Sequence, residues 1–190
     1  MRIVAGEKRS RVLEAPAGEN TRPTADRVRE AVFSILGGFF DGEHVLDLYA
    51  GSGALAFEAL SRGAGDAVLS DADRKAISVI RRNAAVLGYE QKTRVLNMKD
   101  EQVLELLKQE GRVFDLVFLD PPYRMDTAPV CSFLVKNGLL SENARIVIEH
   151  RKETPPAPVR GLSVIRQRTY GITGVTVCAL CAEEGEEKEK

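Results

Sequence analysis

The sequence has no long apolar run. A membrane-spanning helix needs about 20 consecutive apolar residues, and no stretch of the 190-residue chain approaches that length. The first residues, MRIVAGEKR, also lack the apolar core of a secretory signal. We therefore expect a cytoplasmic protein with no membrane association. A chain of 190 residues should form one compact domain, because it is too short for two domains of typical size.

Cysteine and histidine are also scarce. Three cysteines do not make a disulfide framework, and His44 and His150 are the only histidines. Cys178 and Cys181 form a C-x-x-C pair, but they lie in a segment typical of a strand, whereas a redox pair needs a helix N-terminus and a zinc site needs four ligands. We predict no metal site, small buried core residues at both cysteines, and structural roles for both histidines.

The chain lacks a strong net charge, since its formal charge is −1 and no global basic field favours nucleic acid. The distribution of charge is uneven, however. The first eleven positions contain four basic residues and one acidic residue, and Arg22, Arg27 and Arg29 follow. Residues 183–190 are mostly acidic with almost no apolar content, so we expect a disordered tail there.

From residue 44 onward, short apolar segments alternate with helical ones. Strands are predicted at 45–48, 67–70, 93–97, 113–119, 144–149, 162–170 and 174–181, with helices at 54–62, 73–87, 101–109 and 127–137. This alternation predicts a doubly wound α/β fold with a mostly parallel seven-stranded sheet and helices on both faces. The last two strands have no helix between them, so they should form an antiparallel hairpin at one edge.

The first 40 residues are predicted to form an extension of this domain. Residues 2–14 read as a small β-hairpin, and Thr24 should cap a helix that runs to about Leu36. The predicted organisation is therefore an N-terminal hairpin-and-helix extension at 1–40, a catalytic domain at 41–182, and the tail at 183–190.

A glycine motif, DLYAGSG, follows the first sheet strand. Glycines let the backbone approach a ligand closely, and ligands of open α/β sheets bind at the carboxyl ends of the strands. The pattern alone also fits a dinucleotide site. Asp47 favours S-adenosylmethionine, because a carboxylate there suits the positively charged methionine end of that cofactor and would repel a pyrophosphate. Asp71, after the second strand, can accept from both ribose hydroxyls, while Asp73 is better placed to cap the next helix.

The motif with the most specific chemistry is Asp120-Pro121-Pro122-Tyr123, directly after an apolar strand. The prolines fix the backbone at the strand end. The Asp120 carboxylate and the Pro121 carbonyl can both accept hydrogen bonds from one NH2 group, which would aim the amine lone pair at a methyl group. Tyr123 offers an aromatic face on which an extruded base can stack.

These residues resemble a known family. The DPPY motif is similar to that of amino-methyltransferases, and the N-terminal segments MRIVAG, RSR and TRPTADRVRE resemble the RsmD-type 16S ribosomal RNA guanine-N2 methyltransferases. The resemblance runs from Met1 to about residue 181. It implies a class I S-adenosylmethionine-dependent fold, a Rossmann-like sheet, and methylation of one guanine in 16S rRNA of the small ribosomal subunit or its assembly intermediate by a monomer.

The resemblance also implies roles for individual residues. The cofactor residues would be Asp47, Ala50, Gly51, Gly53 and Asp71, and the catalytic residues Asp120, Pro121, Pro122 and Tyr123. The family usually has Asn or Asp followed by Ala at the adenine edge, whereas this chain has Lys99 and Asp100, of which Asp100 is the better candidate. Ser10 stands where the family commonly has Gly. The RNA-binding candidates are Arg9, Arg11, Arg22 and Arg27.

Three alternatives remain. An adenine-N6 DNA methyltransferase would share the DPPY chemistry but needs a target-recognition region for which this chain has little room. A dinucleotide oxidoreductase leaves Asp120 to Tyr123 unexplained. A non-catalytic RNA-binding assembly factor would have no need of Asp47, Gly51, Gly53 and Asp120.

Overall fold

The computed structural model describes residues 1–16, 23–122 and 125–181. Five helices and seven strands occur there, together with a 3-10 turn at Glu90–Lys92. The helices are α1 Pro23–Ile35, α2 Ala54–Ser61, α3 Arg74–Leu87, α4 Asp100–Gln109 and α5 Ala128–Lys136. The strands are β1 His44–Asp47, β2 Asp66–Ser70, β3 Thr93–Leu96, β4 Phe114–Leu119, β5 Leu140–Arg151, β6 Leu162–Tyr170 and β7 Thr173–Leu180.

The seven strands form one sheet in the order β3-β2-β1-β4-β5-β7-β6. β1 to β5 are parallel, and β7 runs antiparallel to both β5 and β6. The predicted mostly parallel sheet and its antiparallel hairpin edge are therefore confirmed. The chain reverses its direction of travel across the sheet between β1 and β4, which is where open α/β sheets bind their ligands.

Helices cover both faces of the sheet. One core cluster contains apolar residues of α1, α2 and α3, among them Val32, Phe57 and Ile80. The other contains residues of α4 and α5, such as Leu107 and Leu134. Side chains alternate along a strand, so Val45 of β1 belongs to the first cluster and Leu46 to the second. The doubly wound fold is confirmed.

The N-terminal arm, defined here as residues 1–14, packs on the same core. Ile3 and Leu13 are buried in the first cluster. The predicted hairpin takes the form of antiparallel hydrogen bonds, from Leu13 N–H to the Met1 carbonyl and from Ile3 N–H to the Arg11 carbonyl, with an isolated bridge between Arg2 and Val12 and no regular strand.

Three local predictions need correction. Helix α1 begins at Pro23, so Thr24 lies inside it and is not its cap; proline suits a first helical position because its missing N–H is not needed there. β5 begins at Leu140, four residues earlier than expected, because its start pairs with Phe114 across an irregularity in the register. Cys178 is buried as predicted, but Cys181 is exposed, because β7 ends at Leu180.

The expected structural roles of the two histidines agree with the structure. The His150 ring hydrogen-bonds Thr176, and the His44 ring hydrogen-bonds Asp66, so both histidines have structural partners. None of the helices in the described ranges is long and apolar enough to cross a membrane. The same ranges contain no group of three or more His, Cys, Asp or Glu residues arranged to hold a metal ion.

Candidate active site

The glycine loop connects β1 to α2 at the centre of the sheet. Ala50 is buried, and its N–H donates to the Ser70 carbonyl on β2, while Gly53 N–H closes a tight turn onto the Ala50 carbonyl at 2.6 Å. Gly51 and Gly53 have φ values of 53° and 79°. A Cβ on Gly53 would lie 2.4 Å from the Phe57 ring, whereas one on Gly51 would meet nothing within 4 Å. The loop therefore leaves open space beside Gly51 while packing tightly at Gly53.

Asp47, the last residue of β1, lies just before this loop, and its carboxyl group has a strongly raised pKa. It is 1% exposed, and neither of its oxygens has a hydrogen-bond partner in the described part of the chain. Burial, followed by repulsion from Asp120 and Asp71, raises its pKa to about 8, and attraction to the Ala56 backbone N–H offsets this only in part. A buried carboxylate with unsatisfied acceptors fits a positively charged ligand group, because such a group would supply the missing donors and charge.

Asp71 follows β2 and lies beside the glycine loop. Its Oδ2 accepts from Gly51 N–H at 3.0 Å, and its Oδ1 accepts from Asp73 N–H at 2.8 Å. The Asn97 side chain, after β3, donates to the Asp71 and Ala72 carbonyls and holds this turn. Each carboxylate oxygen keeps a second acceptor position, so Asp71 can still accept from a ribose. Asp73 caps α3 by accepting from Lys75 N–H, as predicted.

Asp100 is the first residue of α4, beyond β3. Its carboxylate accepts from the Tyr49 hydroxyl at 2.7 Å, which links α4 to the glycine loop. Burial, with the bond to Asp100, raises the pKa of Tyr49 well above its ordinary value, so this hydroxyl stays a donor. The predicted contact of Asp100 with the adenine remains a prediction.

The DPPY motif begins directly after β4, next to β1 in the sheet. Asp120 is exposed, Pro121 is buried and Pro122 is exposed. The Pro122 carbonyl accepts from Met125 N–H, which closes the loop. Tyr123 lies outside the described residues. Because Asp47 pairs with Phe118 across the two strands, Asp120 lies two residues beyond that pair at the same edge of the sheet.

Sequence reasoning missed a further carboxylate of the site, that of Glu149, near the end of β5. Leu119 pairs with Ile148, so Asp120 and Glu149 are the next residues on two adjacent strands. Burial, then repulsion from Asp120 and Asp47, raises the pKa of Glu149 to about 8, and Arg29 opposes this shift. The signal in the sequence was an acidic residue at the end of an apolar strand, the position that Asp47 and Asp120 also occupy.

A buried ion network at the base of the arm was also missed. The fully buried Glu58 carboxylate accepts from Val4 and Ala5 N–H groups at 2.8 and 3.0 Å and pairs with Arg62 at 2.7 Å. Arg29 is 4% exposed, donates to the Arg2 carbonyl and lies 3.8 Å from Glu58. Arg29 therefore fastens the arm and does not form part of a solvated helix face.

The RNA-binding candidates stand apart from the buried residues. Arg9, Arg11 and Arg27 are exposed, and Arg22 lies outside the described residues. An open cavity of about 650 Å³ runs along α3 near the arm, and its lining includes three arginines, Arg74, Arg81 and Arg82. No carboxylate of the described residues lines it, although Asn97, which holds the turn at Asp71, does; we interpret it as a basic surface that adjoins the site and not as the reaction site.

Fold and site together define a class I S-adenosylmethionine-dependent methyltransferase. A family model described as conserved hypothetical protein 95 matches residues 1–179. The chain belongs to this family, which is the RsmD-type family suggested by its DPPY and N-terminal motifs.

Individual relatives agree with this assignment. The chain is 39% identical to Bacillus subtilis YlbH over 93% of its own length and 97% of that protein. It is 35% identical to the Haemophilus influenzae ribosomal RNA small subunit methyltransferase D, with 90% of each chain covered. The Escherichia coli yhhF structure superposes with a TM-score of 0.80 at 34% identity, covering 96% of this chain and 99% of that one.

More distant structures share the fold alone. SMU.776, solved with SAH, has a TM-score of 0.65 at 13% identity and covers 81% of this chain and 48% of that one. S-adenosylmethionine is the cofactor of this methyltransferase class, and the buried Asp47 carboxylate beside the open Gly51 loop fits its positively charged end.

Proposed function

We propose that this chain methylates the exocyclic N2 amine of a guanine in 16S rRNA of the small ribosomal subunit, using S-adenosylmethionine. One observation supports this more than any other. The Asp120-Pro121 motif and the buried Asp47 carboxylate lie at the ends of adjacent strands, close enough for their charges to interact. An amine acceptor and a site for a cationic methyl donor are thus side by side.

The charge of the site favours this cofactor over a dinucleotide. Asp47, Asp71 and Asp120 make the electrostatic potential negative where a ligand would bind; after burial, repulsion from Asp120 and Asp71 helps to raise the pKa of Asp47 to about 8. A pyrophosphate would be repelled there, whereas a sulfonium and an ammonium group would be attracted. Asp47 would hold the methionine end, Gly51 and Gly53 would admit the cofactor to the backbone, and Asp71 would accept from the ribose. When bound, the cofactor supplies the methyl group.

The protein side of the reaction is positioning and electrostatics. The Asp120 carboxylate and the Pro121 carbonyl would accept hydrogen bonds from the two N–H groups of the amine and so turn the nitrogen lone pair out of conjugation with the base. Pro122 would keep the motif rigid, and Tyr123 would stack on the extruded base. A strongly basic residue is not needed, because the ammonium product loses its proton readily once the methyl group is attached.

RNA affinity would come from the basic arm and from basic residues at and before the start of α1. Arg9, Arg11 and Arg27 are exposed and available to phosphates, and Arg22 is assigned with them by sequence alone. The arm adjoins α3, because Glu14 pairs with Arg82 at 2.7 Å and the Lys8 ammonium lies 5.4 Å from the centre of the Tyr89 ring. In this proposal residues 1–40 orient the rRNA, residues 41–182 carry the chemistry, and the enzyme acts in the cytoplasm as a monomer.

The experiment is a methylation assay with purified small subunits and S-adenosylmethionine that carries a labelled methyl group. After digestion of the rRNA to nucleosides, the label should be found in N2-methylguanosine. Label in N6-methyladenosine of a DNA substrate would favour the adenine-N6 alternative instead. Binding to subunits with no transfer at all would favour a non-catalytic assembly factor.

A further inference from the structure

Glu149 lies beside the amine-binding motif and has no role in the reaction described so far. Phe118 and Val147 pair across β4 and β5 and belong to the same core cluster, on the side of α1 to α3. Since side chains alternate along a strand, Asp120 and Glu149, two residues further on, face that same side. Val45 belongs to the cluster as well, so Asp47 at the end of β1 also faces it. Three carboxylates therefore converge from three adjacent strands.

This convergence is unfavourable without a ligand. Asp47 and Asp120 repel Glu149, which is half-buried, and the buried Arg29 guanidinium attracts it. A second observation points to ligand binding at this end of the sheet, because Asp47, which the proposed function assigns to the cofactor, is 1% exposed and both of its oxygens lack a partner in the described part of the chain. Acceptors held together in this way fit a ligand that presents several donors on one edge.

We propose that Glu149 accepts the N1–H of the target guanine and thereby selects guanine over other bases. The inference rests on the proposed function and deepens it. Guanine carries N1–H directly beside its N2 amine, so one edge presents donors to Asp120 and Glu149 together. In adenine and cytosine the ring nitrogen beside the exocyclic amine is an acceptor, which an ionised Glu149 would repel. Burial raises the pKa of Glu149 to about 8 in the free protein, so this selection requires that the positive charge of the cofactor bound beside Asp47 lowers that pKa again. The pair of adjacent carboxylates therefore matches guanine.

The geometry also explains why the selecting group is on β5. Asp120 is bounded on one side by β1 and the cofactor loop, and on the other side by β5. A guanine whose amine points toward the cofactor can place its N1–H on the β5 side. Glu149 is the carboxylate that β5 provides at that level of the sheet.

A base analogue tests this directly. 2-Aminopurine keeps the 2-amino group of guanine but has a lone pair at N1. Small subunits would be assembled from rRNA carrying either base at the nucleotide that the wild-type enzyme methylates. Wild-type kcat/KM should be at least about a hundredfold lower for 2-aminopurine, since a site built to bind a donor rejects an analogue that lacks it.

Glu149→Gln provides the matched variant, because its amide keeps the shape of the side chain and can donate to N1. It should lower kcat/KM for guanine at least about tenfold and reduce the preference for guanine over 2-aminopurine. Glu142→Gln, on the exposed start of β5, is the control and should leave both values unchanged. Cofactor affinity should be the same in all three proteins. Thermal unfolding should be the same in wild type and Glu142→Gln, whereas Glu149→Gln should gain stability as pH rises toward 8, because it removes a carboxyl whose pKa burial raises.

The outcomes separate the two proposals. If wild-type enzyme methylates 2-aminopurine as fast as guanine, or if Glu149→Gln keeps the full preference, the role of Glu149 is wrong while guanine methylation stands. If wild-type enzyme methylates no guanine in small subunits, the proposed function fails and this inference fails with it. The wild-type comparison needs no variant, so poor folding of Glu149→Gln would not prevent the test.

Discussion

At the scale of single residues, Asp71 and Asp73 form a matched pair. Both are acidic and close in sequence, but Asp71 faces the glycine loop and Asp73 caps α3. Asp71→Ala should weaken S-adenosylmethionine binding at least tenfold, because hydrogen bonds to a charged group are worth about 1.5–3 kcal/mol each. Asp73→Ala should cost about 1 kcal/mol of stability and leave the dissociation constant within about twofold.

Calorimetry with S-adenosylmethionine and thermal unfolding of both variants make the comparison. Asp73→Ala is the control for changes in local charge. Equal loss of cofactor affinity in the two variants would show that the ribose contact had been assigned to the wrong carboxylate.

Asp47 should make stability depend on pH. Its pKa is raised from 3.8 to about 8, so between these values the unfolded chain loses a proton that the folded protein keeps. The free energy of unfolding should therefore fall as pH rises from about 4 to 8. Asp47→Asn cannot ionise, so it should unfold at a higher temperature than wild type at pH 8, with a smaller difference at pH 5, at about 2–4 °C per kcal/mol.

Thermal unfolding without cofactor at the two pH values is the measurement. Glu149 contributes a shift of the same sign, and because Asp47 repels it, Asp47→Asn also lowers the pKa of Glu149 and adds to the difference in the same direction. The same variant should bind S-adenosylmethionine poorly. A variant less stable than wild type at pH 8 would mean that the Asp47 carboxylate is paired in the free protein.

At the scale of elements, Asn83 of α3 is one of the side chains that hold the arm against the domain. Buried Asn83 accepts from Glu14 N–H, and its amide donates to the Glu14 and Ser52 carbonyls, all at 2.9 Å. Asn83→Ala should cost about 1–3 kcal/mol, because buried backbone groups lose their partners. Amide hydrogen exchange should speed up in the arm and remain slow in β1 and β4.

Val86→Ala, an exposed position of the same helix, is the control and should leave exchange in the arm unchanged. Uniformly faster exchange across the whole sheet in Asn83→Ala would mean that the arm and the sheet unfold as one unit.

The elements themselves were largely predictable, because short apolar runs and helical periodicity are local signals. The prediction that Thr24 caps α1 was wrong because Pro23, one residue earlier, is itself suited to the first position of the helix. The role of Arg29 could not be predicted, since its partners Arg2 and Glu58 are separated from it by 27 and 29 residues. Glu149 was missed for the same reason, because only strand order brings β5 next to β4.

At the scale of the whole molecule, a net charge of −1 hides two regions of opposite sign. The carboxylates lie at the strand ends, and the arm is basic. Arg9→Ala with Arg11→Ala should weaken binding to small subunits and reduce the salt slope by roughly 1.4–1.8, if each side chain contacts one phosphate. Arg166→Ala with Arg168→Ala removes the same charge from β6, the strand at the other edge of the sheet from β3, and should have little effect.

Affinity for subunits measured at several salt concentrations would test this, with cofactor affinity as a further control. If both double variants weaken binding equally, the effect is one of net charge. If neither does, the rRNA binds another surface.

The most direct test of the central claim is mass spectrometry of small-subunit rRNA from a strain without this gene. We predict that one N2-methylguanosine is missing, that the wild-type gene restores it, and that Asp120→Ala does not, although that variant should fold and bind S-adenosylmethionine. Loss of an acceptor of this kind typically lowers the rate about a hundredfold or more. Unchanged N2-methylguanosine in the deletion strain, or full restoration by Asp120→Ala, would contradict the account.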